Sequence, residues 1–578
     1  MGKAAWVVKS WPRTPLLVVK TAFNTRTVDE MIQDKAKSGA EMKRSLGWFQ
    51  LMCMGIGAII GSGIYVLTGQ VANQTAGPAV CLSFVVGGIC ATLSALIYSE
   101  WSTELPVAGS SFTYVMASLG QLPAFLVTSN MIMEYVLSIA AIARAWSSYL
   151  ATLCSKDSSF FRFPAGAVSL DPMAVAIIII MTVLICLSTK ESSRVNLVLT
   201  CTKLVGVLFV IIAGFTKASP PNLTTDFGVY GVRGVMNGAA IIFFAYLGYD
   251  AVATLAEEAK NPSRDMPIGI IGATTVCTVL YIIMCIVICM MVPYDQIDPN
   301  APFSTAFSQV GLNWARYVVA FMALVGISTA LLVNMLGQAR IFTMAAREHL
   351  IPLFWAKVSQ RYGTPLAAQV TMGAASAFIG FFTDLPILAN MVSIGTLYAF
   401  LNVAAGLIFY RLYDPKVSTR ADFIKVLAHL LAICGASVGL AIYYNVSNDW
   451  YGIVAFIIVW FLATASCHIF CKHARVPRVY GVPLFPWVPS GSVILNCFLL
   501  STLDRDSYIR FGIWSAMCLT LYCLFSVHSI AYHHNHDQIP YYKSSTDTAA
   551  ARKDVPPVNG APTTASATSA DHMPPTKV

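Results

Sequence analysis

Gly55-Ile-Gly57-Ala-Ile-Ile-Gly61-Ser62-Gly63-Ile64-Tyr65 lies in an apolar run, 48–70, that is long enough to cross a bilayer as a helix. It is a poor helix. A glycine in a helix interior costs about 1 kcal/mol relative to alanine, so Gly61-Ser62-Gly63 near the middle should loosen or interrupt the span. Small residues at this spacing also serve close helix packing, and this stretch alone leaves both readings open. A second stretch decides between them: Ile241-Ile-Phe243-Phe244-Ala245-Tyr246-Leu247-Gly248-Tyr249-Asp250. Here a glycine flanked by aromatics is followed by an acid, near the middle of a second apolar run, 235–256. Asp250 can cap a half-helix restarting through Ala251–Glu258. Glycine breaks in two spans, five helices apart, mark an inverted-repeat membrane fold whose binding site lies at the breaks.

The rest of the chain fits that setting. Of 578 residues, 56% are hydrophobic and 11% charged, where soluble domains carry roughly 25% charged. A mean hydropathy of +0.66 over this length excludes a single soluble core. Solidly apolar segments such as Met173–Leu187 and Leu204–Phe215 lack the period-two alternation of a β-barrel. About fourteen spanning helices are predicted, at roughly 48–70, 78–99, 122–150, 172–188, 195–215, 235–256, 267–292, 313–338, 366–383, 387–411, 424–444, 452–470, 488–503 and 510–531. The third is too long for one straight span and is expected to tilt or to extend past the membrane.

Charge sets an orientation. With the N-terminus in the cytoplasm, inside segments hold most of the Lys and Arg, including Lys43, Arg44, Lys190, Arg194, Lys260, Arg264, Arg411, Lys416, Lys472, Arg475 and Arg478. Outside loops hold Lys156, Arg162, Lys217, Arg233 and Arg505. This is the positive-inside pattern, and it places both termini in the cytoplasm. The net charge of +9 is thereby explained without nucleic acid. The sequons at Asn73, Asn222 and Asn445 fall on predicted outside loops. The 15 cysteines are scattered through apolar segments with no CxxC pair, and read as small buried apolar residues. No cleavable signal peptide is evident. Trp6 to Val19 holds Lys9, Pro12, Arg13 and Pro15 and suits a surface-lying segment. The tail after Asp537, rich in Ser, Thr, Pro and Ala, reads as disordered.

Half-helix N-termini present free N–H groups and positive dipole ends that suit a carboxylate, and unwound carbonyls suit an ammonium group. A zwitterionic α-amino acid fits such a pair of breaks. Glu134 lies inside the third span and shares a face with Asn130 and Ser138 at i, i+4 spacing. An ionisable residue there is a functional candidate by default; it can attract a cationic side chain, or order water and the first helix. Lys203 lies in the fifth span, about a third of the way along, where snorkelling to the interface is an open alternative. Arg144, near the outer end of the third span, is expected to reach the interface. His429, His468 and His528 are expected to be packed rather than catalytic, and His533-His-Asn-His536 sits in a loose tail.

The run Gly55–Gly69 resembles the first-helix signature of the amino acid–polyamine–organocation superfamily. Phe243–Asp250, followed by Glu257-Glu-Ala-Lys-Asn-Pro-Ser-Arg-Asp-Met-Pro267, resembles the sixth-helix region of its cationic amino acid transporter family. Glu134-Tyr135, Gly337-Gln-Ala-Arg340 and the helix number also match, and the resemblance covers roughly residues 43–530. It implies an all-α polytopic protein with a LeuT-like core of two inverted five-helix repeats in 46–411 and peripheral helices 11–14 in 412–531. The segments 1–45 and 532–578 are then cytoplasmic tails. It implies that the N–H groups of Ser62 and Gly63 meet a substrate carboxylate. The carbonyls of Ile59, Phe244, Ala245 and Leu247 then meet its α-amino group. Glu134 is implied to lie near the substrate pocket, and Lys203 to link helices 1 and 8 in proton coupling.

The implied function is secondary active uptake of cationic amino acids, arginine and lysine, by alternating access, with the proton as coupling ion and no cofactor. A neutral or broad-range amino acid carrier and a polyamine carrier share the fold. Helix 8 near Ser328-Thr329 and Asn334 offers polar groups for a guanidinium or ammonium tail. A membrane enzyme would need clustered acids, His or metal ligands, and none is seen. Nor is a nucleotide-binding loop or a channel filter. An amino acid sensor is the remaining alternative. The partners expected are the amino acid substrate and the lipid bilayer, with no obligate partner chain. The plasma membrane is the expected location, with a vacuolar or lysosomal membrane as the alternative.

Overall fold

The computed structural model describes residues 14–26, 46–106, 109–165, 168–187, 192–256, 258–357, 359, 364–447 and 449–536. The N-terminal segment before Thr14 and the C-terminal tail lie outside the described residues, as does Glu257.

A short helix, α1 (Thr14–Thr21), precedes the first broken span. That span begins as α2 (Trp48–Ile59) and stops at Ile60, whose ψ of 100° is extended. It resumes as a π-helical turn (Gly63–Leu67) leading to α3 (Thr68–Val71). Gly77, at φ +64°, turns the chain into α4 (Val80–Glu104). Then follow α5 (Ser111–Ser118) and the 33-residue α6 (Gln121–Leu153). At 1.5 Å per residue α6 is about 50 Å long, longer than a hydrocarbon layer of about 30 Å. A small hairpin of β1 (Phe163–Ala165) and β2 (Val168–Leu170) precedes α7 (Pro172–Leu187) and α8 (Ser192–Phe215).

After α9 (Pro220–Thr224), the second broken span runs as α10 (Gly231–Ile242), a 3₁₀ turn over Phe243–Tyr246, and α11 (Tyr249–Ala253). The restarted half is shorter than the sequence suggests, because Thr254–Ala256 continue as turns rather than helix. Next come α12 (Pro262–Met291), α13 (Pro302–Gln309), α14 (Asn313–Arg347), α15 (Leu366–Phe382) and α16 (Leu385–Leu412). The C-terminal part holds α17 (Arg420–Val446), α18 (Trp450–Phe470), α19 (Trp487–Ser501), α20 (Arg505–Leu521) and α21 (Val527–His536).

Among the described residues, ten helical stretches are long and apolar enough to cross a membrane. The first of them, Trp48–Glu104, contains everything from α2 through α4. Three further apolar helices are shorter: Pro172–Cys186, Leu366–Phe382 and Trp487–Ser501. Each of the fourteen stretches expected from the sequence falls on one of these helical regions. The outward surface is apolar: Ile212, Val205, Phe378, Ile442, Phe461 and Ile513 are each at least half exposed, a surface that only lipid tolerates.

The core is built on α6, which packs along α14 and α16, and on α12, which packs along α4 and α2. Ala140, Ala141, Ala143 and Ala145 are all buried on α6. Such small residues let helix backbones approach where no hydrophobic effect drives them together.

Arg144 corrects an expectation. Its side chain does not reach the interface; it is fully buried. Its guanidinium donates to Asp384 (2.6 Å), the Ser169 hydroxyl (2.9 Å) and the carbonyls of Gly380 (2.8 Å) and Phe381 (3.1 Å). It ties α6 to the hairpin and to the link between α15 and α16. The sequon asparagines are also engaged. Asn73 Nδ2 donates to the carbonyls of Tyr294, Asp295 and Ile297, Asn222 to Met290, and Asn445 to Ala441 and Ser501. His528 is buried and its Nε2 lies 2.9 Å from the Thr14 hydroxyl, in keeping with a packing role. His429 bonds the Lys425 carbonyl and Ser466.

Candidate functional site

The two breaks meet. Gly63, at the restart of the first, lies so close to the Ala245 backbone that a Cβ would overlap it. Gly248, in the second, has φ +128° and would bring a Cβ within 2.8 Å of the Ala58 carbonyl carbon. Each break therefore needs its glycine for the approach of the other, and at Gly248 for the backbone angle as well. Glycine serves both expected purposes at once: it interrupts the helix and lets the backbones touch.

Breaking a helix leaves carbonyls without their i+4 donors. Lys203, fully buried on α8, answers for the first break. Its Nζ donates to the Gly57 carbonyl at 2.6 Å and the Ile60 carbonyl at 3.0 Å. An ammonium at a helix C-terminus is also favoured by the helix dipole. Lys203 thus points into the protein and does not snorkel. Its stem passes Gly326 of α14, beside the Tyr65 ring.

Tyr281, from the middle of α12, answers for both breaks. Its hydroxyl lies 2.8 Å from the Ile59 carbonyl and 3.2 Å from the Ala245 carbonyl, and the residue is fully buried. These are two of the four carbonyls expected to receive an α-amino group. A third, Phe244, accepts the Leu247 N–H at 3.3 Å. Sequence reading missed Tyr281, because a lone tyrosine in an apolar span carries no positional signal.

Beside the breaks lies a small cavity lined by Ala58, Glu134, Tyr135, Leu247, Gly248, Asp250, Ala251, Val333 and Asn334. Both broken helices, α6 and α14 all contribute to it. Glu134 is only 5% exposed and Asp250 only 4%. The Asp250 carboxylate accepts from the Gly248 N–H (3.1 Å) and the Tyr135 hydroxyl (3.2 Å). Its position in the sequence suggests a cap for the restarted half, but α11 begins one residue earlier, with Gly248 at the cap position; Asp250 sits in the first turn, bonds back to Gly248 and ties that half-helix to α6. Among the described residues neither acid forms an ion pair with a Lys or Arg. A buried carboxylate without a cation is costly, so this cavity favours a cationic guest or protonated acids.

Of the expected site residues, Glu134 and Leu247 line the cavity. Ile59, Phe244 and Ala245 place their carbonyls at the breaks, and Ser62 and Gly63 begin the second half of the first span. Lys203 sits against the first break from another side. The eighth expected span, α14, divides. Asn334 lines the cavity, whereas the Ser328 hydroxyl already accepts the Trp146 indole N–H at 3.0 Å and Thr329 bonds its own helix.

The start of the first broken span and the end of the second are also joined. Leu46, just before α2, forms a β-bridge with Ala259, with Leu46 N–H to the Glu258 carbonyl (3.0 Å) and Lys260 N–H to the Leu46 carbonyl (2.8 Å). Glu258 in turn pairs with Arg340 of α14 at 3.6 Å.

Residues 46–463 match the family described as amino acid permease, and residues 480–530 match the C-terminus of that family. The chain is 48% identical over 507 residues to Cationic amino acid transporter 1 of Arabidopsis thaliana, covering 87% of this chain and 85% of that one. It is 39% identical over 513 residues to the vacuolar Cationic amino acid transporter 8 of the same plant, with 87% of each covered. It is 37% identical over 438 residues to the Methylthioribose transporter of Bacillus subtilis, covering 74% of this chain and 93% of that one.

Proposed function

This chain belongs to the amino acid permease family, and from that premise we propose that it is a secondary active carrier of cationic amino acids, arginine and lysine, driven by protons. It is a multi-pass membrane transporter and not an enzyme. The observation that carries the substrate class is the cavity with Glu134 and Asp250 on its wall and no Lys or Arg paired to either among the described residues. A guanidinium or ammonium tail would supply the missing charge. The names of the Arabidopsis relatives support the same reading. The substrate α-carboxylate would sit at the N–H groups of Ser62 and Gly63. The α-ammonium would take the carbonyls of Ile59, Phe244, Ala245 and Leu247, displacing the Tyr281 hydroxyl from two of them.

Proton coupling rests on Lys203. Its two hydrogen bonds hold the carbonyls at the first break. Loss of its proton would weaken that hold and free the first span to rearrange; return of a proton would restore it. We take the fold to be LeuT-like, with fourteen crossings, two inverted five-helix repeats over 46–411, and peripheral helices over 412–531. The segments 1–45 and 532–578 would lie in the cytoplasm, and the plasma membrane is the preferred location. Relatives with vacuolar and chloroplastic names keep the vacuolar alternative in view.

A second reading, a carrier of a neutral solute, is favoured by the likeness to the methylthioribose transporter. Counterflow in liposomes loaded with unlabelled arginine separates the two. Entry of labelled arginine, competed by lysine and not by alanine, methylthioribose or putrescine, is expected. Competition by a neutral solute alone would contradict the cationic assignment and leave the carrier.

A further inference from the structure

Two links of the C-terminal part meet at one end of the helices. The link between α18 and α19 starts at Cys471, whose Sγ lies 3.7 Å from His429 Nδ1 on α17. The N–H groups of Ala474 and Arg475 then donate to the Arg411 carbonyl at the end of α16, at 2.9 and 3.0 Å. Charge fixes the link in place. Arg411 is buried, with Nε 2.6 Å and Nη2 2.8 Å from the two carboxylate oxygens of Glu100 on α4. The same carboxylate accepts the Val482 N–H at 2.6 Å. A Cβ at Gly481 would come within 2.7 Å of Arg411 Nη2. A two-pronged pair with a third donor is a rigid anchor, so the α18–α19 link is held against the α16–α17 link.

These links turn two kinds of side chain outward. Lys416, Arg420, Lys425, Lys472 and Arg478 are exposed, and among the described residues none of the five forms an ion pair. Lys425 and Lys472 both lie within electrostatic reach of Asp422, and Lys416 within reach of Asp414. These acids are already engaged. Asp422 accepts from the N–H and hydroxyl of Thr419, and Asp414 pairs with Arg475 at 3.3 Å. Glu104 accepts the Arg478 N–H at 2.6 Å. Among the cations stand Val417, Val476 and Val479, which are 77%, 79% and 59% exposed. Phe470, exposed at the end of α18, lies just before Lys472, and the exposed Ile424 just before Lys425. Cations directly beyond the last lipid-facing residues stand at headgroup level, and apolar side chains beside them find acyl chains there rather than water. Orienting a chain in the membrane needs cations only in number; it needs neither an anchored link nor valines among them.

We propose that the α16–α17 and α18–α19 links, with the start of α17, form a docking surface for an anionic phospholipid. Its phosphate takes the unpaired cations, and its acyl chains cover the valines. The orientation given under the carrier reading puts this surface at the cytoplasmic leaflet, which holds the anionic lipids. The inference rests on that reading for its placement alone.

The test uses the full chain in a neutral detergent, with dioleoyl phosphatidylglycerol added in steps and the melting temperature followed by intrinsic fluorescence. Phosphatidylglycerol should raise the melting temperature; phosphatidylcholine with the same chains, or inorganic phosphate, should not. Lys472→Gln should raise the half-maximal lipid concentration about fivefold, the scale of one cation at an anionic surface. Lys425→Gln combined with Lys472→Gln should raise it at least about tenfold. Val476→Ser with Val479→Ser, which keeps every cation, should also raise it. Lys156→Gln with Lys217→Gln, two exposed cations on other loops, should leave it unchanged. An equal response to phosphatidylcholine would overturn the proposal. So would an equal response to phosphate alone, the mark of a free-anion site, or an unchanged half-point in Lys472→Gln. A protein that responds as expected but moves no amino acid would count against the carrier reading and leave the lipid surface standing.

Discussion

The joined breaks of α2 and α10–α11 differ from the outer helices α17, α18 and α20 in what holds them. At the breaks, contacts are made by single atoms: two glycine backbones, one lysine ammonium and one tyrosine hydroxyl that touches both carbonyl ends. On α18 only 11% of the most apolar window is buried, and residues such as Ile457, Ile458 and Phe461 face outward. One region is specified atom by atom, and the other by hydrophobicity alone. The breaks are where a single methyl should matter, and α18 is where it should not.

The largest effect is expected at Gly63. Gly63→Val forces the two breaks apart, and uptake in proteoliposomes should fall at least about tenfold, since overpacking costs roughly 1–3 kcal/mol. Near-normal uptake would mean that the two breaks need not touch during transport. Next is Arg144→Met, which strands Asp384 and several carbonyls. Asp384 is 44% exposed, so the loss should be on the order of 2 kcal/mol, read as a lower melting temperature in detergent. Tyr281→Phe should follow, with a loss of about 1 kcal/mol in the substrate-free protein and a larger thermal shift on adding substrate, because the substrate ammonium no longer competes with the hydroxyl. Equal substrate shifts in both proteins would separate Tyr281 from the ammonium site. Ile458→Ala, 51% exposed on α18, should change stability by less than about 0.5 kcal/mol; a large drop in melting temperature would reveal a partner on that face.

The same contrast explains what could be read from the sequence. A mid-span glycine violates a local rule, and the breaks were legible once Gly61 and Gly63 were read together with the aromatic-flanked Gly248 and the acid Asp250 that follows it. The helices were legible because lipid demands long apolar runs. What the breaks do to their neighbours was not. Tyr281 meets Ile59 from a distant part of the chain, 222 residues away. Arg144 finds Ser169, Gly380 and Asp384 only after folding, and by sequence alone it reads as an interface residue. Glu134 stood out because a charge in a span is rare, whereas the second acid of the cavity, Asp250, read only as a helix cap. The Lys203 side chain was ambiguous by depth, and the freed carbonyls of Gly57 and Ile60 decide its direction.

The most direct test is uptake of labelled arginine by proteoliposomes under an inward-acid pH gradient, for the wild type and Lys203→Met. If Lys203 carries the coupling, the gradient accelerates wild-type uptake, and the variant, verified as folded, shows no acceleration. Arginine uptake that is indifferent to the gradient in the wild type, or equally accelerated in Lys203→Met, would contradict that role.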